Sequence, residues 1–196
     1  MKKLLITGFE PFGGESINPS WEAVARLPVN VGDYALTKLC LPVVFGEAAE
    51  LAIKKAEETG ADVLLFIGQA GGRDAITPEL VGINLRHAKI PDNKGKQPLD
   101  EPILDDGDTA YFSTLPVRKM AEAIHSETTP ATVSYSAGAY VCNEVLYRAL
   151  AHFSGTPTRV GFIHIPYSEE QEKTPCMSLS SIVTALEVAV AHLDDN

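Results

Sequence analysis

Short, continuous hydrophobic runs recur along the chain, each bounded by glycine, proline or polar residues. They are LLITG (4–8), YALTKLCLPV (34–43), DVLLFIG (62–68), TVSYS (132–136) and RVGFIHIP (159–166). Continuous apolar runs are typical of strands covered on both faces, whereas a strand with one face in water alternates apolar and polar residues. The pattern therefore predicts a set of buried strands.

Segments with helical periodicity lie between these runs. The apolar residues from 117 to 124 and from 179 to 186 follow the i, i+3, i+4, i+7 spacing of one helix face. Asn18 followed by Pro19 predicts a helix start, with Asn as the N-cap and Pro in the first turn. Strands alternating with helices predict an α/β fold, a three-layer α/β/α sandwich with a mainly parallel, twisted sheet. With no linker or internal repeat, we expect residues 1–196 to form a single domain.

Composition narrows the class of protein. The 196 residues are enough to bury a substantial core, and 45% of them are hydrophobic, so a disordered chain is excluded. The formal net charge of −10 disfavours binding to nucleic acid or to an acidic membrane surface, because affinity for phosphate comes largely from clustered Lys and Arg.

The cysteines predict free thiols. Cys40, Cys142 and Cys176 are odd in number, widely spaced and without a CxxC pair, so neither a disulfide framework nor a zinc site is indicated. The apolar run after Met1 is too short for a signal peptide, and no apolar stretch is long enough to cross a bilayer. We therefore expect a cytoplasmic protein that is not a membrane protein.

Glycine-rich loops follow two of the predicted strands. GFEPFGG (8–14) follows the first, and GQAGGRDAITPE (68–79) follows the third. Such loops often bind phosphate, but neither matches a nucleotide-binding motif. Phe9 and Phe12 in the first loop favour a small, mostly apolar ligand instead, although both could also be core residues.

A cysteine and a histidine lie at comparable positions of the predicted sheet. His164 is almost at the C-terminal tip of the last strand, where active-site residues of α/β folds gather. Cys142 is expected in the first turns of a helix after the TVSYS strand, with Ser136 or a neighbour as cap and Gly138 in the turn. Backbone N–H groups at a helix start favour the reactive thiolate. Both residues could equally be buried packing residues, since free cysteine is among the most buried residue types.

A third group usually orients the imidazole of a cysteine–histidine pair. Glu10, Asp74 and Glu79 are carboxylates near strand ends, and spacing alone does not choose among them. The polar segment from His87 to Phe112, with its acidic LDDGD run, is either a solvated excursion or a lid or subunit contact.

Four groups of motifs carry a family resemblance over essentially the whole chain. In order, they are GFEPFGG with NPSWEAV, GQAGGRDAITPELVGIN, SYSAGAYVCNEVLY and GFIHIPY. In these stretches the chain resembles pyroglutamyl peptidase I, also called pyrrolidone-carboxylate peptidase, a family of cysteine exopeptidases. The resemblance implies an enzyme that removes the N-terminal pyroglutamyl (5-oxoprolyl) residue from peptides through a thioacyl-enzyme intermediate.

The resemblance also implies residue roles. Glu79, Cys142 and His164 would form the catalytic triad, and Arg73 would lie by the active centre and help hold the oxyanion region. The implied substrate-binding residues are Phe9, Phe12, Gln69 and Val141. The family needs no metal or other cofactor and typically assembles as a homotetramer. The chain departs from the family pattern at Leu80, Gly82 and Tyr135.

Two other classes of function compete with the peptidase. The glycine-rich loops on an α/β sheet could belong to a nucleoside- or phosphate-binding enzyme. A non-catalytic binding or assembly protein could also retain this scaffold, and its Cys142 would then be unreactive. Neither alternative accounts for Glu, Cys and His in the family's order.

Overall fold

A six-stranded sheet runs through the middle of the molecule in the computed structural model, which describes residues 1–195. Its strands lie in the order β2, β3, β1, β4, β8, β5. The bounds of these strands are β1 Lys2–Phe9, β2 Asn30–Val31, β3 Tyr34–Leu41, β4 Val63–Gln69, β5 Thr77–Pro78 and β8 Arg159–Ile165. Two small sheets pair β6 (Val81–Ile83) with β7 (Ala110–Phe112), and β9 (Tyr167–Ser168) with β10 (Cys176–Met177).

The four central strands β3, β1, β4 and β8 are parallel, and the short edge strands β2 and β5 are antiparallel to their neighbours. The central strands come from four of the five apolar runs in the sequence. Successive side chains of these strands point to opposite faces, and in β1 both faces are buried: Leu4 and Ile6 pack on one side, Leu5 on the other. The prediction of strands covered on both faces is confirmed for β1, β4 and β8, whereas β3 is buried only at Tyr34 and Leu41 and half-buried between them.

Helices cover both faces of the sheet. They are α1 Pro19–Arg26, α2 Glu47–Thr59, α3 Val117–Glu127, α4 Val141–His152 and α5 Leu179–Ala191, with a short 3₁₀ turn, η1, at Glu169–Gln171. Apolar residues of α1, α3 and α5 form the core on one face, and those of α2 and α4 form the core on the other. The predicted α/β/α sandwich is therefore confirmed, as is the Asn18 cap, whose side chain accepts from the Ser20 backbone N–H.

The prediction of a strand at TVSYS is wrong. Residues 132–136 do not join the main sheet, and the segment makes only isolated bridges, at Ala131 to Ile76 and at Ser134 to Glu79. Most of its side chains are half-buried or exposed, so the segment lacks the buried environment of a central strand. The edge position beside β8 is taken instead by β5, which the sequence pattern did not reveal.

The segment from His87 to Phe112 is held against the protein. The buried Asp92 carboxylate accepts hydrogen bonds from the backbone N–H groups of Phe45, Lys94 and Lys96, at 2.8–3.0 Å. Asn93 Nδ2 donates to Glu10 Oε1 (2.8 Å) in the first glycine-rich loop. This segment is therefore built onto the same end of the sheet as the two loops predicted to carry function.

Candidate active site

Strands β4 and β8 bring two of the predicted site residues to one edge of the sheet. Their register sets Gly68 opposite His164 and Gln69 opposite Ile165. Cys142, the second residue of α4, approaches the same point, since a Cβ atom added to Gly68 would lie 3.1 Å from Cys142 Sγ and 2.5 Å from Phe162 Cζ. Glycine at position 68 thus leaves the space that the sulfur and the Phe162 ring occupy.

Glu79 is the carboxylate that meets the histidine. His164 Nδ1 and Glu79 Oε1 are 2.7 Å apart, and the Glu79 side chain is fully buried. Glu79 immediately follows β5, and its backbone N–H donates to the Phe162 carbonyl (2.9 Å). The other two candidates lie elsewhere: Glu10 accepts hydrogen bonds from Val43 and Asn93, and Asp74 is exposed.

Arg73 binds the same carboxylate. Its Nη1 donates to Glu79 Oε1 (2.7 Å) and to Thr77 Oγ1 (2.5 Å), and its Nη2 donates to the Ser136 carbonyl (3.0 Å). The guanidinium therefore joins Glu79 to the loop that precedes Cys142. Its contact with an oxyanion remains a prediction from the family resemblance.

Burial and hydrogen bonding fix the charge states of the histidine and the glutamate. Burial acts to raise the pKa of Glu79, but the hydrogen bond and charge of His164, with the hydrogen bond from Arg73, hold that pKa below its usual value. Burial lowers the pKa of His164, and the Arg73 charge acts in the same direction against the opposing effect of Glu79. With an ionised Glu79 as acceptor, His164 Nδ1–H is the donor, and Nε2 of the neutral ring remains able to accept a proton.

The surroundings of Cys142 favour the thiol over the thiolate expected at a helix start. Burial raises its pKa to about 12, the Glu79 charge adds to this effect, and Arg73 opposes it. Within residues 1–195 no hydrogen bond joins Cys142 to His164. Contacts of catalytic groups are often long in a free enzyme and shorten when substrate binds.

The turn before α4 differs from the expectation in one detail. Tyr140 is the N-cap residue, and no side chain caps the helix. The Ser136 hydroxyl accepts instead from the Gly138 backbone N–H (3.2 Å), so the prediction of Ser136 as cap is wrong. Gly138 has φ of +77°, which glycine adopts readily and other residues rarely do.

A small cavity opens beside the sulfur. Its walls contain Cys142 together with all four residues implied as substrate-binding: Phe9, Phe12, Gln69 and Val141. Three further residues line it that sequence reasoning missed in this role: Asn18, Val43 and Tyr140. The sequence around Asn18 indicated only a helix cap, and Val43 belongs to the second apolar run, away from the glycine-rich loops. Neither residue therefore had a local sequence feature that predicts ligand contact.

Aromatic contacts and hydrogen bonds hold the cavity walls. The Phe12 and Tyr140 ring centroids are 6.2 Å apart, and Phe45 packs edge-on against Tyr140 at 5.3 Å. The Tyr140 hydroxyl donates to the Pro91 carbonyl (3.0 Å), which links the 87–112 segment to the cavity. Gln69 Oε1 accepts from Gln171 Nε2 (2.9 Å).

The departures from the family pattern lie outside the cavity lining. Tyr135 is 62% exposed, and its hydroxyl is 3.4 Å from Arg118 Nη1. Leu80 joins the backbone pairing around Glu79, donating to the Ser134 carbonyl (2.8 Å). A Cβ atom at Gly82 would lie 3.1 Å from the Tyr147 backbone, so glycine there allows close packing of β6 on α4.

Residues 1–195 contain no group of three or more His, Cys, Asp or Glu side chains arranged to hold a metal ion. None of the helices in that range has the length and apolarity needed to span a bilayer. Cys40 is half-buried in β3, and Cys176 is exposed.

Comparison with known proteins gives matches over nearly the full chain. The sequence model of the family described as pyroglutamyl peptidase matches residues 2–195. Pyrrolidone-carboxylate peptidase 1 of Caldanaerobacter subterraneus subsp. tengcongensis is 49% identical over 96% of both chains. The pyrrolidone-carboxylate peptidase of Lactobacillus johnsonii is 46% identical over 97% of this chain and 92% of its own.

Solved structures agree with the sequence matches. The crystal structure of pyroglutamyl peptidase I from Bacillus amyloliquefaciens superposes with a TM-score of 0.95 at 42% identity, covering 100% of this chain and 96% of that one. Pyrrolidone carboxyl peptidase from Thermococcus litoralis gives a TM-score of 0.94 at 39% identity, covering 99% and 94%. At this identity and coverage, the likeness extends beyond the fold to the family.

Proposed function

The chain belongs to the pyroglutamyl peptidase family of cysteine omega peptidases, which remove N-terminal pyroglutamate, and we propose that Cys142, His164 and Glu79 carry out this hydrolysis. The observation that carries the assignment is the 2.7 Å hydrogen bond between His164 and the buried Glu79, beside the glycine that Cys142 Sγ approaches. This arrangement has the order nucleophile, base and orienting carboxylate of cysteine peptidases.

The cavity suits a pyroglutamyl residue. The nitrogen of an N-terminal pyroglutamate is part of a lactam, so the substrate presents no ammonium group. Among residues 1–195, no acidic side chain that could bind an ammonium lines the cavity, which combines Phe9, Phe12 and Val141 with the Gln69 amide. Apolar walls with few polar contacts favour the flat lactam over a free amino terminus.

The proposed first half-reaction forms the acyl-enzyme. His164 Nε2 takes the proton from the Cys142 thiol as Sγ bonds to the pyroglutamyl carbonyl carbon, and the carbonyl electron pair moves to oxygen. Glu79 stabilises the imidazolium through Nδ1–H. When the C–N bond breaks, the departing amine takes the proton from Nε2, and a thioester remains. The high pKa of the free thiol favours this coupled proton transfer over a preformed thiolate.

The second half-reaction returns the enzyme to its starting state. Water attacks the thioester carbonyl and gives a proton to His164 Nε2, and the imidazolium then protonates the departing sulfur. In both steps the N–H groups at the uncapped start of α4 stabilise the oxyanion. Arg73 supports this region by holding Glu79 and the Ser136 carbonyl.

We also propose that residues 1–196 act as one catalytic domain, that four chains assemble as a homotetramer, and that the enzyme works in the cytoplasm without a metal or other cofactor. The three free cysteines support a reducing compartment. The partners are peptides with N-terminal pyroglutamate, and the net charge of −10 supports the absence of nucleic-acid binding.

A fluorogenic pyroglutamyl amide tests the assignment. Cys142→Ser should lower kcat/KM at least about a thousandfold, because the hydroxyl is a much poorer nucleophile in this arrangement. Cys176→Ser is the matched control, since Cys176 is exposed and outside the cavity lining, and it should retain wild-type kinetics. A Cys142→Ser enzyme that released pyroglutamate at near wild-type rates would contradict the nucleophile assignment.

A further inference from the structure

Gln171 connects a backbone N–H group to the amide of Gln69. It is the last residue of η1, and its Oε1 accepts from the Ser168 backbone N–H (3.1 Å). Its Nε2 donates to Gln69 Oε1 (2.9 Å). Gln69 lines the cavity beside Cys142, whereas Gln171 is not among the lining residues.

The donor and acceptor roles in this chain follow from chemistry. A backbone N–H group can only donate, so the Gln171 atom facing Ser168 must be the amide oxygen. The other end of the Gln171 amide is then the NH₂ group, which can only donate. The Gln69 atom that faces it must therefore be its oxygen, and the Gln69 NH₂ group is left for another partner.

That NH₂ group is the amide donor of the cavity with both N–H groups left for a ligand. Within residues 1–195, Gln69 Nε2 has no protein acceptor. Of the other polar lining residues, Asn18 Oδ1 accepts from Ser20, one N–H of Asn18 Nδ2 donates to the Glu10 carbonyl, and the Tyr140 hydroxyl donates to Pro91.

We propose that Gln171 is a specificity-determining positioning residue, which fixes the Gln69 amide so that its NH₂ group faces the cavity and binds the lactam carbonyl of the substrate. The inference rests on the proposed function. Selection follows from the chemistry, because a prolyl residue lacks that carbonyl and would leave the Gln69 donor unpaired in the complex.

A purely structural role for Gln171 makes a different prediction. Ser168 and Gln171 form a capping box around η1, in which the Ser168 side chain accepts from the Gln171 backbone and the Gln171 side chain accepts from the Ser168 backbone. Glu serves as well as Gln in a capping box, whereas Met cannot accept the hydrogen bond. If Gln171 only holds η1, Gln171→Glu should impair hydrolysis less than Gln171→Met does.

The positioning role predicts the opposite order, with Gln171→Glu impairing hydrolysis more than Gln171→Met. Glu at position 171 still accepts from Ser168, but it presents a second acceptor to Gln69, so the Gln69 amide turns over and its oxygen faces the lactam carbonyl. We expect Gln171→Glu to raise KM about tenfold to a hundredfold, with kcat changed by less than about threefold. Gln171→Met leaves Gln69 able to adopt either orientation and should raise KM only about threefold to tenfold.

Steady-state kinetics on a pyroglutamyl amide, with circular dichroism and thermal unfolding of each variant, tests the proposal. In a Gln69→Leu background, Gln171→Glu and Gln171→Met should have the same KM, because their difference acts through the Gln69 amide. Equal or weaker impairment by Gln171→Glu than by Gln171→Met in the wild-type background would overturn the role of Gln171, and so would an unchanged KM for Gln171→Met. A wild-type protein that fails to hydrolyse the amide would instead overturn the proposed function, so the two failures are distinct.

Discussion

Glu79 Oε1 is the atom that bonds both the arginine and the histidine of the site. It binds His164 and Arg73 at the same distance, 2.7 Å, and the side chain is fully buried. A buried carboxylate is stable as an anion only when charged or hydrogen-bonding partners compensate the loss of water. Glu79 thus remains ionised, Arg73 compensates its charge, and His164 stays neutral and able to accept a proton.

The activity profile on the acid side should report the pKa of His164. Burial lowers that pKa, so the neutral base persists below pH 6.5, the ordinary value for histidine, and is lost only as pH falls through the lowered pKa. We expect the acid limb of kcat/KM for a pyroglutamyl amide to have its midpoint below pH 6.5.

Arg73→Met provides the comparison for this profile. Removing the guanidinium removes a charge that lowers the pKa of His164, so the midpoint should move to higher pH. A wild-type midpoint above pH 6.5, or a shift to lower pH in Arg73→Met, would contradict the assignment of His164 as the buried base.

At the scale of elements, two helix starts serve the site in opposite ways. The start of α1 is capped by Asn18, which also forms a wall of the cavity. Within residues 1–195 no side chain caps the start of α4, so its first N–H groups near Cys142 are left for the proposed oxyanion. We therefore expect the cap to contribute stability in α1, and the uncapped N–H groups of α4 to contribute to binding.

Asn18→Ala separates these roles when it is compared with Ser178→Ala. Ser178 caps α5 by accepting from the Ser181 backbone N–H (3.1 Å), much as Asn18 accepts from Ser20 (3.0 Å). Ser178→Ala should lower the free energy of unfolding by about 1 kcal/mol in urea titrations, because it removes one cap. Asn18→Ala should lower it by more, because the buried Asn18 side chain also bonds the Glu10 carbonyl and the Ser20 hydroxyl.

Only Asn18→Ala should also raise KM for a pyroglutamyl amide, because Asn18 lines the cavity and its Nδ2 holds the Glu10 carbonyl beside Phe9. A similar rise in KM for Ser178→Ala would show that lost stability, rather than the cavity wall, causes the effect.

At the scale of the whole molecule, the sandwich leaves several large apolar side chains on its surface. Val29, Leu99 and Phe112 are between 62% and 71% exposed. Single exposed apolar residues are ordinary, but contiguous ones mark contact surfaces between proteins. Leu99 and Phe112 lie in or at the end of the 87–112 segment, and a subunit contact there would cover both.

The proposed tetramer predicts a definite mass in solution. Sedimentation equilibrium should give about 84 kDa, four times the chain mass of 21.1 kDa. Phe112→Ser should weaken the assembly if the 87–112 segment lies at a subunit contact, whereas Leu51→Ser, on the exposed side of α2, is the control. A mass of one chain for the wild-type protein would contradict the tetramer.

Local patterns in the sequence predict the sandwich and point to the chemistry proposed for it. The central strands and the 117–124 and 179–186 helix faces follow from hydrophobic periodicity, which is local along the chain. Motif order identified the family and so pointed to Cys142, His164 and the cavity residues. The hydrophobic pattern failed at TVSYS, because pairing partners and burial decide whether a short run becomes a strand.

Features that depend on contacts between residues distant in sequence come from the folded arrangement. Spacing left three carboxylates open and the family resemblance implied Glu79, and the 2.7 Å contact between His164 and Glu79, 85 positions apart, gives the physical reason for that choice. The thiol state of Cys142, the cavity contacts of Asn18, Val43 and Tyr140, and the orientation that Gln171 gives to Gln69 likewise come from packing. Burial and donor–acceptor pairing are properties of the folded surroundings, and no stretch of sequence contains them alone.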